Sequence, residues 1–185
     1  MPPKVKITRE MILQAAFGIV RSEGHEALNA RRIAERLKCS TQPVLYSFKT
    51  VDEIRTEVYK VADEFHTKYI MPQDDSTGNP LLALGLNYIR FGHEEKHLFR
   101  FLFQTNMLGT DVKSLFDAPQ LDMIISIVAG AMQTDRETAR QSFMTFFAVA
   151  HGFASLLANN AMNYDEEQLK RSLEVVFRSC MTGKG

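Results

Sequence analysis

The 185 residues include no tryptophan and only two cysteines, and there is no net charge: 22 lysines and arginines balance 22 aspartates and glutamates. Cys39 and Cys180 lie far apart and form no CxxC pair, which excludes a disulfide framework and predicts a reduced, cytoplasmic protein. The six prolines and ten glycines make no repeat or low-complexity tract. Residues 1–6 are not followed by the apolar run of an export signal. The most apolar segment, residues 143–158, is interrupted by Thr145, His151, Gly152 and Ser155 and reads as too short and too polar to span a membrane. No P-loop, GxSxG or GxGxxG motif occurs, and neither cysteine has an activating base nearby in sequence. These absences leave no catalytic residue, metal or cofactor to assign. What is present is an ordinary globular composition, 45% hydrophobic and 24% charged, in a chain long enough to bury a core.

Periodicity assigns that core to helices. From Thr8, the residues Ile12, Ala15, Ala16, Ile19 and Val20 recur on one helical face until Gly24. Asn29 is placed to cap a second helix of about two turns that breaks at Lys38-Cys39. Ser40 is expected to cap a third, with Pro43 in its first turn and its end near Phe48. Thr50-x-x-Glu53 has the form of a capping box ahead of a longer helix through Ile54, Val58, Ala62, Phe65 and Tyr69. Pro80 suits the first position of the next helix, and residues 98–103 continue helically before a loop at 106–119. Residues 121–132 are nearly all apolar, which predicts a helix buried on most sides. Thr134-x-x-Glu137 is expected to open the longest helix, about 25 residues, and Asp165-x-x-Gln168 the last. No segment alternates with period two, so the fold class is all-α, with about nine helices.

The neutral total conceals a separation of charge. Residues 1–49 carry nine lysines and arginines against four glutamates, a net of +5, and the remaining residues carry a net of −5. Two short helices joined by a tight break, with a third packed across them, match a helix-turn-helix, and a basic surface is what neutralising DNA phosphates requires. The predicted division is a DNA-binding head at 1–49 and an effector-binding and dimerisation body at 50–185.

The same residues carry a family resemblance. The stretches Ile7 to Ala16, Leu28 to Leu37 and Cys39 to Phe48 resemble, in order, the DNA-binding domain of TetR-family transcriptional regulators. Residues 88–92, 98–103 and 151–157 are similar to one branch of that family. Departures are Lys38 for the usual glycine after the second helix, Asn29 for a threonine, Leu45 for a tyrosine and Val51 for a lysine that would donate to a phosphate. Lys49 is the nearest replacement for that last role.

The resemblance implies that the third helix enters the major groove. Gln42 would read adenine, Thr41 would reach a base or phosphate, and Pro43 would offer apolar contact to a thymine methyl. Arg31, Arg32, Tyr46 and Lys49 would hold phosphates, with Lys4 and Lys6 as a minor-groove arm. It also implies a small-molecule effector, apolar or aromatic, among helices bearing Phe65, Tyr69, Tyr88, Phe91, Phe103, Met107, Met123, Phe147 and His151, although each of these also fits an ordinary core. The small residues of the longest helix, Ala148, Gly152 and Ala154 among them, and the apolar face of the last helix are suited to a two-fold homodimer with a pseudo-palindromic operator.

Two alternatives compete with a dimeric repressor released from DNA by its effector. One is a helical ligand-binding or interaction protein without DNA binding. The other is a zinc hydrolase, since His93-Glu94-Glu95-Lys96-His97 matches H-E-x-x-H; its charged interior and the lack of an evident third ligand speak against it.

Overall fold

The computed structural model describes residues 7–72, 79–105 and 119–181. Lys4, Lys6, Met107 and most of the expected loop at 106–119 lie outside the described residues. Nine α-helices are present among the described residues, with no strand: α1 (Arg9–Glu23), α2 (Ala30–Arg36), α3 (Gln42–Ser47), α4 (Val51–Ile70), α5 (Pro80–Glu94), α6 (Lys96–Phe103), α7 (Pro119–Met132), α8 (Arg136–Ala158) and α9 (Glu166–Met181). The fold is all-α, as the periodicity predicts.

Local hydrogen bonds explain where the helices begin. Thr8 accepts from the N–H of Met11, Asn29 from that of Arg32, and Asn79 from those of Leu81 and Leu82. The Thr50 hydroxyl accepts from Glu53 N–H, completing half of the expected capping box, while the Glu53 carboxylate receives the N–H of Lys49 instead of that of Thr50. Two caps differ from expectation. The residue before α3 is Thr41, which already has helical dihedrals and makes no side-chain cap, so Ser40 has no capping role. At α8 the cap is Asp135, not Thr134: its carboxylate accepts from the N–H groups of Glu137 and Thr138. A carboxylate beside the positive end of the helix dipole outcompetes the hydroxyl one residue earlier.

Three helices end in the same way without glycine. After α2, the N–H of Lys38 bonds Glu35 O and that of Cys39 bonds Ala34 O, which is the paired pattern of a Schellman motif. Gln133 and Asn160 occupy the equivalent place after α7 and α8. All three have left-handed backbone, with φ of 52°, 53° and 55°. For a residue with a Cβ this conformation costs about 1 kcal/mol.

The chain forms two compact units, residues 1–68 with 95–105, and residues 69–94 with 106–185. The first unit reaches past residue 49 because α6 packs on α1 and much of α4 belongs to the same core. Ile12, Ile19, Ile33, Val44, Phe48, Ile54 and Val58 are buried in this unit. Burial of each such side chain contributes about 1.5–3 kcal/mol. The bidentate pair of Arg21 with the buried Glu95 carboxylate ties α1 to the start of α6, with Arg21 Nε 2.8 Å from Oε2.

In the second unit α8 is central, packed on α5, α7 and α9. At Gly92 a Cβ would lie 2.7 Å from the Ala154 carbonyl oxygen, so α5 and α8 meet there at backbone distance. α8, at 23 residues, is close to its expected length, but unlike the reading of residues 143–158 it is apolar enough by length and composition to cross a membrane. Its residues Phe143, Phe146, Ala150, Ala154 and Leu157 are instead buried in the bundle. A second expectation also fails, because among the described residues of α7 only Ile125 and Val128 are buried, while Met123 is 73% and Ile127 61% exposed. An all-apolar sequence does not itself supply neighbours, and α7 packs chiefly on one helix, α8.

Candidate nucleic-acid interface and helical core

In the first unit, α2 and α3 are joined by the turn at Lys38-Cys39 and Val44 anchors α3 in the core. Helical spacing then places Gln42, Leu45 and Tyr46 together on the exposed face, with Thr41 preceding them. Tyr46 is 92% and Leu45 57% exposed, an unusual amount of bare apolar surface on so short a helix. A concave surface of about 890 Å³ is lined by Met11, Lys38, Cys39, Gln42, Pro43 and Tyr46, among others. Three of the expected base readers and backbone contacts therefore share one concavity. Leu45 was not assigned a role from sequence, yet its exposure on the face of Gln42 marks it as a candidate base contact.

The far end of α3 is held by a residue that the sequence did not single out. The guanidinium of Arg9 donates to Ser47 O at 2.6 Å and to Glu53 at 3.1 Å, and lies 3.8 Å from the centre of the Phe48 ring. Hydrogen bonds from the Lys49 N–H and from Arg9 hold the Glu53 carboxyl below its ordinary pKa. Arg9 thus fastens the start of α1 to the end of α3 and the start of α4.

The cations on and around α2 and α3 fall into two groups. Arg31 pairs with Glu35 at 3.1 Å, Arg32 with Glu23 at 2.9 Å and Glu35 at 3.2 Å, and Arg36 with Glu23 at 4.0 Å. Hydrogen bonds from Arg32 and Arg31 hold the Glu35 carboxyl below its usual range. Exposed pairs of this kind are weak and can exchange carboxylate for phosphate, but they reduce the charge that α2 offers. Lys38 and Lys49 are exposed, and their ammonium groups make no ion pair among the described residues.

The residues expected to line an effector pocket are divided between the units. Phe65 and Phe103 belong to the first: Phe65 packs on Phe17 with ring centres 5.7 Å apart, and Phe103 meets His66 edge-on at 5.0 Å. Tyr69, Tyr88, Phe91, Met123, Phe147 and His151 belong to the second. There Tyr69 contacts Phe91 at 5.3 Å and donates to Glu94 at 2.5 Å. The buried hydroxyl of Tyr88 lies 2.9 Å from His151 Nδ1, and both rings approach Phe147. Burial raises the Tyr88 pKa and lowers that of His151, so at neutral pH both are uncharged and the cluster is an apolar site with one polar contact. Met123 is at the surface, outside this cluster.

His66 is a buried histidine that the sequence reading passed over. It continues the stripe Ile54, Val58, Ala62 at four-residue intervals, which is the signal that identifies it. Its burial lowers the imidazole pKa to about 4.

The H-E-x-x-H segment does not form the helical arrangement that zinc hydrolysis needs. α5 ends at Glu94, α6 starts at Lys96, and the intervening Glu95 has φ −113° and ψ 48°, so the two histidines do not share one helical face. His93 stacks on Tyr164 at 4.3 Å, and His97 Nδ1 lies 2.9 Å from the Arg100 guanidinium. Among the described residues no group of three or more His, Cys, Asp or Glu is placed to hold a metal.

No curated protein matches the chain. A family model described as the tetracyclin repressor-like C-terminal domain matches residues 81–180, more than half of its length and most of the second unit. With a helix-turn-helix preceding that domain, the chain belongs to the TetR family of regulators.

Proposed function

We propose that the chain is a sequence-specific DNA-binding transcription regulator of the cytoplasm, a homodimeric repressor released from its operator by an apolar or aromatic small molecule. The observation that carries this reading is the surface of α3. Gln42 and Tyr46 are exposed together, supported by Val44 beneath and flanked by Lys38 and Lys49, exposed cations with no ion pair among the described residues. Gln42, Thr41 and Pro43 contact bases, while Tyr46, Lys49 and, after exchange of their carboxylate partners, Arg31 and Arg32 contact phosphates.

Dimerisation through α8 and α9 is supported by the open stripe of Gln141, Thr145, Ala148, Gly152 and Leu156 on α8. A Cβ at Gly152 would meet nothing within 4 Å among the described residues, so its smallness suits close approach of a partner. A two-fold dimer presents two copies of α3 about 34–36 Å apart, one DNA turn, and selects a pseudo-palindrome. The effector occupies the region of Tyr88, Phe147 and His151, with Tyr69 and Phe91 nearby. Its coupling to DNA is reciprocal, so operator DNA weakens effector binding by the factor with which effector weakens operator binding.

The test is a salt-dependent gel shift with the DNA upstream of the chain's own coding region. Binding that weakens steeply with salt is expected, with Gln42→Ala flattening base preference and Lys49→Ala weakening every sequence alike. No shift at any salt concentration would leave a helical ligand-binding protein as the correct reading.

A further inference from the structure

We infer that Lys38, in the turn between α2 and α3, is a phosphate anchor for double-stranded DNA; this rests on the DNA-binding reading above. The backbone at this position favours glycine. Lys38 is the left-handed residue of the Schellman motif that ends α2, with φ 52°, and both bonds of the motif use backbone atoms only. The lysine side chain therefore contributes nothing to the turn and strains it. Gln133 and Asn160 carry the same conformation elsewhere, so strain alone assigns no role; at Lys38 it falls within the candidate binding surface, where the surroundings decide.

The surroundings identify that role. Lys38 is exposed, makes no ion pair among the described residues, and lines the same concavity as Gln42, Pro43 and Tyr46. The α2 arginines are in a different condition, since each is engaged by Glu23 or Glu35. In sequence, Lys38 and Lys49 bracket α3, so each end of the helix has an exposed ammonium group without an ion pair among the described residues. A phosphodiester oxygen is the anion that such a group meets when α3 enters a groove, and the contact is independent of base sequence.

The experiment uses the full chain and two duplexes, one with the sequence upstream of its own coding region and one scrambled to the same composition. Affinities are measured from 50 to 300 mM salt for wild type, Lys38→Gly, Lys38→Gln and Lys38→Arg. Gln133→Gly serves as a control because it relieves the same strain after α7. Removal of one phosphate contact lowers the slope of log K against log salt by about 0.9, equivalent to about an eightfold loss at 0.1 M. Lys38→Gly and Lys38→Gln show this loss on both duplexes, and Lys38→Arg retains the wild-type slope. The Tm of Lys38→Gly rises, as does that of Gln133→Gly, so the weaker binding belongs to a more stable protein. A wild-type slope in Lys38→Gly and Lys38→Gln overturns the inference, and so does a loss confined to the upstream duplex. Failure of the wild type to bind either duplex overturns the DNA-binding reading itself.

Discussion

Acid should unfold this protein through His66, and the size of the effect can be worked out. The imidazole is buried on α4 against Phe103, and burial lowers its pKa from 6.5 to about 4. In the unfolded chain the same group takes up a proton near 6.5. Between these values the unfolded state binds more protons than the folded state, so stability rises with pH. The contribution is fully present above pH 6.5, drains away as pH falls towards 4, and is constant below that. A gap of about 2.5 pH units at about 1.4 kcal/mol each amounts to about 3 kcal/mol, a large part of the 5–15 kcal/mol that holds a typical domain folded. The perturbation is His66→Leu, which keeps an apolar side chain of similar size and cannot titrate. Urea unfolding followed by circular dichroism at several pH values between 7.5 and 4 compares the two proteins. Carboxylates and the other histidines titrate alike in both, so the difference isolates position 66. The wild type should lose about 3 kcal/mol more than the variant across this range. Parallel stability curves, or a His66 resonance titrating near 6.5 in the folded protein, would refute the reasoning.

Three further outcomes follow from packing and capping. Gly92→Ala places a Cβ 2.7 Å from the carbonyl oxygen of Ala154, which is backbone and cannot rotate away, so stability should fall by about 1–3 kcal/mol in urea unfolding. Asp135→Ala should cost about 1 kcal/mol while Thr134→Ala costs a few tenths, because only Asp135 caps α8; the reverse order would restore the capping box read from the sequence. At Gly152 a Cβ would meet nothing within 4 Å among the described residues, so Gly152→Leu should leave the fold intact by circular dichroism but shift the protein towards monomer in sedimentation equilibrium. An unchanged dimer in that variant would remove the α8 stripe from the interface.

Much of the head and little of the effector region could be read from residue order. Thr8 and Asn29 announce their helices because the groups they bond lie three residues away. The family resemblance implies DNA contacts for Gln42 and Tyr46, and both lie exposed on α3 one helical turn apart. Leu45 shares that face and was passed over because apolar residues are assumed to face inward; only the structure shows it exposed. The expected pocket combined Phe65 and Phe103 with Tyr88 and Phe147, residues that hydrophobicity alone cannot separate, and the structure assigns them to different units.

The sequence by itself determined the all-helical class, the order and approximate limits of the helices and the segregation of charge, since periodicity, capping and charge counts depend on residues within a few positions of one another. Tertiary structure decided which faces are covered and which charges are committed. It left α7 bare on one side, enclosed His66, joined Arg21 to Glu95 across 74 positions, and paired the α2 arginines with Glu23 and Glu35 while Lys38 and Lys49 make no ion pair among the described residues. Burial and ion pairing depend on distance in space, and the pattern within a single helix records only that a face is apolar or a side chain charged, not what meets it.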